Sequence, residues 1–133
     1  MAKAIRYYTF GAPDVLRWEA VNVGAPGLGE VRVRHEAVGL NFADTYFRSG
    51  LYPAELPAGM GVEAAGVIEA VGPDVRGFAE GDRVTYTGSP LGAYSTERVM
   101  STQKLPRVRT SWRANPRITA MAIARPTAAD TKF

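Results

Sequence analysis

Five side chains with hydrogen-bonding capacity, Asn41, Asp44, Tyr46, Arg48 and Tyr52, fall within a dozen residues of this sequence. An amide and a phenol can orient a carbonyl-bearing ligand or a carboxamide without bringing charge, and a guanidinium can meet an anionic phosphate. The same residues also have a purely structural reading: Asn41 as a helix cap, Tyr46 as a half-buried phenol with a partner for its hydroxyl, Arg48 as a solvated cation. Spacing alone leaves both readings open.

Other chemistries find less support. His35 is the only histidine, and no carboxylates are spaced to build a metal site around it; on a strand face among valines it reads as a packed or partly exposed ring. The chain has no cysteine, which removes disulfides, thiolate metal ligands and thiol nucleophiles together. Ser89, Ser95 and Ser101 have no histidine or lysine at motif spacing, so a serine nucleophile is unsupported. Gly59, Gly61 and Gly66 invite a phosphate-loop reading, but that motif needs its glycines where a strand turns into a helix. Here a β-branched, strand-like segment follows, so these glycines are expected to serve bends and close backbone approach. Glu63 reads either as a partly buried carboxyl with a raised pKa or as a structural carboxylate accepting backbone hydrogen bonds.

The elements that must hold these residues are mostly strands. The chain has 133 residues, 46% hydrophobic and 22% charged, with a net charge of +3, the size of one soluble domain. No apolar run reaches the roughly 18 to 20 residues of a bilayer span, and the N-terminus lacks the apolar stretch of a secretory signal, so a cytoplasmic location is expected. Lys3 to Thr9 and Val15 to Val23 flank Gly11-Ala12-Pro13-Asp14 and suggest a hairpin. Glu30 to Val38 alternates, with Val31, Val33, His35 and Ala37 on one face and Arg32, Arg34 and Glu36 on the other. Asn41 to Arg48 lacks alternation and predicts one or two helical turns stopped by Ser49-Gly50. Strand character returns at Val62 to Val71, Arg83 to Tyr86 and Ala93 to Met100. The charge divides near residue 105: residues 1–104 hold ten Lys/Arg and twelve Asp/Glu, residues 105–133 six and one. All glycines lie at or before Gly92. A folded unit over 1–104 and a basic, poorly ordered tail over 105–133 are therefore expected, with a helical turn or two at most between Pro116 and Pro126.

The unit over 1–104 resembles the amino-terminal, GroES-like half of the medium-chain dehydrogenase/reductase superfamily, specifically its zinc-free quinone oxidoreductases of the zeta-crystallin type. The resemblance is carried by Gly11-Ala12-Pro13-Asp14-Val15-Leu16, Val38-Gly39-Leu40-Asn41-Phe42-Ala43-Asp44, Arg48-Ser49-Gly50-Leu51-Tyr52-Pro53, Pro57 to Gly66, and Ala79-Glu80-Gly81-Asp82-Arg83-Val84. It implies a mainly β fold, a partly open barrel with short helices, and hydride transfer from NADPH to a quinone or another electron-poor small molecule. It further implies that Asn41, Tyr46 and Tyr52 face the nicotinamide and substrate, with Asn41, Tyr46 and Arg48 toward the cofactor and Asp44 in the surrounding shell. Zinc-dependent relatives place a cysteine near Asn41 and a histidine in a Gly-His-Glu triplet; that triplet reads Gly61-Val62-Glu63 here, so no catalytic metal is expected.

The resemblance ends at Lys104-Leu105-Pro106, where the family would continue toward a cofactor-binding Rossmann domain. With permissible codons, the tail read from the third base of the Arg109 codon gives Asp-Glu-Leu-Ala-Gly-Glu, which suits the family's next helix and suggests a frameshift after Pro106. A chain without the Rossmann half is expected to expose apolar surface and free strand edges, to lack the family's homodimer interface, and to be inactive alone. The alternative is a non-enzymatic GroES-like interaction module. No nucleic-acid partner is expected: the basic tail holds only Trp112 and Phe133 as aromatics and no recognisable motif.

Overall fold

The computed structural model describes residues 1–88 and 90–106. They form seven strands in two antiparallel sheets, one α-helix and two short 3-10 turns. The first sheet holds β1 (Ala2–Tyr7) between β2 (Arg17–Val21) and the two-residue β4 (Ala58–Gly59). The second runs in the order β6 (Arg83–Thr87), β5 (Glu63–Val71), β3 (Glu30–Val38), β7 (Glu97–Ser101). The helix, α1, spans Phe42–Ser49. This is the expected mainly β, partly open barrel with short helices, and no parallel βαβ unit occurs among the described residues. No helix there is long and apolar enough to cross a membrane.

Alternation along the strands builds the core. Val31 and Val33 of β3, Ala64 and Ile68 of β5, Val84 and Tyr86 of β6 and Met100 of β7 turn inward and form one buried cluster with Ala93 and Leu105. Leu105 thus belongs to the packed unit, although the change in composition falls beside it. The rest of the expected tail, from residue 107, lies outside the described residues. On the outer face of β3, Arg32, Arg34 and Glu36 find opposite charges on β7, β5 and β6: Glu97 at 3.8 Å, Glu69 at 2.8 Å and Arg83 at 2.6 Å. Solvated pairs of this kind add about 1 kcal/mol at most each, so they favour the register more than they stabilise the fold.

A second, smaller cluster, Tyr7, Ala58 and Met60, lies under the first sheet. The seam between the sheets is made by the residues before β7. The sequence reads as one strand from Ala93, but residues 94–96 first pair with β1, through Ile5 N–H to the Tyr94 carbonyl and Thr96 N–H to the Lys3 carbonyl, both at 2.8 Å. The same Thr96 is where the chain crosses over, its carbonyl accepting the His35 N–H of β3 at 2.9 Å, and the regular β3–β7 ladder runs from Glu97 onward. Tyr94 packs against both clusters. The expected hairpin is present as β1 and β2, with Ile5 opposite Trp18, and Pro13–Val15 forms a 3-10 turn in its connection.

Candidate functional site

Helix α1 starts and stops where its sequence dictates. Asn41, in extended conformation, occupies the N-cap. Asp44, three residues on, sends Oδ2 back to accept the Asn41 N–H at 2.9 Å, the reciprocal arm of a capping box. Gly50 closes the helix in the left-handed region (φ 83°), its N–H donating to the Phe47 carbonyl at 3.2 Å. The helix is fixed to the first sheet by its last turn: Gly11 N–H donates to the Arg48 carbonyl at 3.0 Å, and the hydroxyl of fully buried Tyr7 reaches the Phe47 carbonyl at 3.4 Å.

Successive residues turn by about 100° around a helix, so Asn41, Asp44 and Arg48 share one face while Phe42 and Tyr46 share another. On the first face three buried atoms have no hydrogen-bond partner among the described residues: Asn41 Nδ2, Asp44 Oδ1 and Arg48 Nε. Orphans of this kind cost roughly 1 to 3 kcal/mol each and call for an explanation. Asn41 and Arg48 are half-buried residues, so a side-chain rotation can bring either donor to the surface. On the second face, Phe42 stands edge-on to Tyr46 with ring centroids 5.4 Å apart. The chain then doubles back, Tyr52 N–H donating to the Tyr46 carbonyl at 3.1 Å, and lays the Tyr52 ring 5.2 Å from Tyr46 and 5.3 Å from Phe47. Neither the Tyr46 nor the Tyr52 hydroxyl bonds to another described residue.

The structure therefore gathers Asn41, Asp44, Tyr46 and Arg48 on two adjoining faces of one helix and its cap, and lays Tyr52 against the second face from the chain that follows. Asn41 does occupy the cap position. Arg48 is half-buried with an unpaired Nε, which departs from the solvated cation of the structural reading. None of these residues lines the surface hollow formed by Ala4, Arg6, Val21 and Val99; Phe42 and Tyr52 instead stand exposed to solvent. Sequence reasoning missed Tyr94, whose hydroxyl donates to Asp44 Oδ2 at 2.5 Å from fifty residues away. Burial, reinforced by the hydrogen bond and charge of Asp44, pushes the Tyr94 phenol well above its ordinary pKa, so it stays a donor.

The remaining candidates resolve as structure. His35 Nδ1 faces the Ser95 carbonyl at 2.8 Å, which assigns the ring proton to that nitrogen, and Nε2 accepts from the Tyr86 hydroxyl at 3.0 Å. Arg98 reaches the same hydroxyl at 3.4 Å. Burial holds the His35 pKa below its ordinary value; the Ser95 bond opposes this and the Arg98 charge adds to it. Glu63 is half-buried with its carboxyl against Gly39, where a Cβ would overlap it. The three glycines read as backbone-approach positions: at Gly66 a Cβ would lie 2.1 Å from the Arg34 carbonyl oxygen, and at Gly61 it would lie 2.4 Å from the Tyr94 ring. Among the described residues no group of three or more His, Asp or Glu is placed to hold a metal ion.

Residues 27–109 match the alcohol dehydrogenase GroES-like domain family. The chain is 54% identical over 106 residues to the quinone oxidoreductase of Pseudomonas aeruginosa, covering 79% of this chain and 33% of that protein. It is 47% identical over 112 residues to the 2-haloacrylate reductase of a Burkholderia species, covering 81% and 34%. Among solved structures, the quinone oxidoreductase of Pseudomonas syringae pv. tomato superposes with a TM-score of 0.78 at 52% identity, covering 84% of this chain and 34% of that one. The Escherichia coli quinone oxidoreductase complexed with NADPH gives 0.77 at 40%, covering 82% and 34%. The chain thus spans about a third of the length of these relatives.

Proposed function

Because the chain belongs to the alcohol dehydrogenase GroES-like domain family, we propose that residues 1–104 are the substrate-side part of an NADPH-dependent quinone oxidoreductase, with α1 and the turn after it as the surface that meets nicotinamide and substrate. The reading is supported by relatives named as quinone oxidoreductases and by one whose structure holds NADPH. The observation that carries it is the pair of donors at α1 and its cap without a partner among the described residues, Asn41 Nδ2 and Arg48 Nε. The carbonyl oxygen of a carboxamide or of a quinone accepts from either donor.

When bound, NADPH supplies the hydride. The residues of this chain orient and shield. Asn41 holds a carbonyl or carboxamide by its amide, Arg48 adds a second donor, and the unpaired hydroxyls of Tyr46 and Tyr52 flank a flat ring from the neighbouring face. The aromatic row of Phe42, Tyr46 and Tyr52 excludes water from one side of the bound ring. No charged acid or base of this chain is assigned a proton transfer. The 2-haloacrylate reductase relative fits a preference for electron-poor acceptors beyond quinones.

The 133 residues by themselves are expected to position an acceptor but not to turn over, since most contacts to a dinucleotide would come from the length these relatives have in addition. The test is a titration of the labelled chain with a fully substituted benzoquinone, which cannot alkylate lysines, and with nicotinamide. Shifts confined to Asn41, Tyr46, Arg48 and Tyr52 support the reading, and shifts confined to another surface sink it. NADPH oxidation by the chain alone at rates like those of its full-length relatives would overturn the expectation of inactivity.

A further inference from the structure

Asp44 is the one fully buried charged residue among those described, only 3% exposed. A carboxylate in that position needs donors, because burial without them costs several kcal/mol. Its Oδ2 has two: the Tyr94 hydroxyl at 2.5 Å and the Asn41 N–H at 2.9 Å. Tyr94 is itself rigidly placed. Its N–H donates to the Met60 carbonyl and its carbonyl accepts from Ile5 N–H, both at 2.8 Å. Its ring lies where a Cβ on Gly61 would stand, and Gly61 has a φ of 85° that only glycine adopts at low cost. At the other end, the Asn41 amide Nδ2 has no partner among the described residues, so the side chain is held only through the capping box it shares with Asp44.

We propose that Tyr94 is a positioning residue for Asn41: its hydroxyl and the Asp44 carboxylate form a buried clamp on the Asn41 N–H, and this clamp sets the Asn41 amide at the mouth of the site. The clamp carries rigidity from the seam between the sheets to the N-cap of α1, a distance that no local capping interaction spans. The functional importance of the clamp rests on the reading of Asn41 as a ligand contact given above, whereas its existence is testable with no ligand present.

The test uses the labelled 133-residue chain and the variant Tyr94→Phe, which removes one oxygen and keeps the ring. Loss of the charge-assisted bond is expected to raise hydrogen exchange at the Asn41 backbone amide about tenfold and to lower the order of its side-chain NH2. Exchange at Ile68, whose N–H donates to the Asp82 carbonyl away from the seam, should stay unchanged, which separates loosening of the clamp from general destabilisation. Unchanged exchange and side-chain order at Asn41 in a folded Tyr94→Phe would overturn the proposal. Should that variant not fold, Asp44→Asn, which leaves a neutral acceptor for both donors, is expected to raise the same exchange by a smaller factor, and no change there counts equally against the clamp. A quinone that fails to shift Asn41 in the wild-type chain would remove the ligand reading and leave the clamp standing.

Discussion

At Gly61 one missing methyl group lets an aromatic ring lie against the backbone, and the consequence can be measured. Alanine there would adopt a φ of 85° and place its Cβ 2.4 Å from a Tyr94 ring carbon. Gly61→Ala is therefore expected to lose at least about 2 kcal/mol in urea unfolding and to loosen the Asn41 cap as Tyr94→Phe does. His35 gives a prediction in pH. Burial depresses its folded-state pKa below the ordinary value of about 6.5, so between the two values the unfolded chain binds more protons. The stability it contributes is complete above pH 6.5 and falls as pH drops through that range. Urea midpoints measured from pH 7.5 down to 5 should decline, and His35→Gln should flatten that decline; an equal slope in the variant would show that other groups cause it.

The strands and α1 show what local patterning conveys and what it omits. Alternation marked β3 in full, and Asn41 with Ser49-Gly50 marked both ends of the helix, because caps and stops are chosen by residues within one turn of the chain. Two-residue β4 escaped notice because a pair of residues has no period, and the Pro-rich stretch before it reads as loop. The seam was misread as part of one long strand because residues 94–96 alternate whichever sheet they join. For the same reason Tyr94 carried no signal: its partner lies fifty residues away, and only the folded chain brings them together. The pairing of β3 with β5 also depends on one glycine, since a Cβ on Gly66 would meet the Arg34 carbonyl oxygen at 2.1 Å. Gly66→Ala should therefore force the two strands apart and cost about 3 kcal/mol or more, seen as a large drop in the unfolding midpoint or as insoluble protein.

The molecule as a whole has a closed side and an open one. β2 and β6 each pair along one edge only, and around α1 large apolar side chains stand in solvent: Leu40 is 86% exposed, Phe42 75% and Leu51 67%. Surfaces of this kind promote association. Sedimentation of the chain should show concentration-dependent self-association, reduced when Leu40 and Leu51 are both changed to lysine; unchanged association would place the contact elsewhere. The burial of Leu105, finally, marks how far the polypeptide can be shortened before its interior is breached. A version ending at Pro106 keeps every interior side chain named above, whereas one ending at Lys104 takes a leucine out of the barrel. Two residues should thus separate a sturdy miniature from a fragile one by about 2 to 4 kcal/mol, and anyone trimming this protein for use as a scaffold has a fixed place to cut.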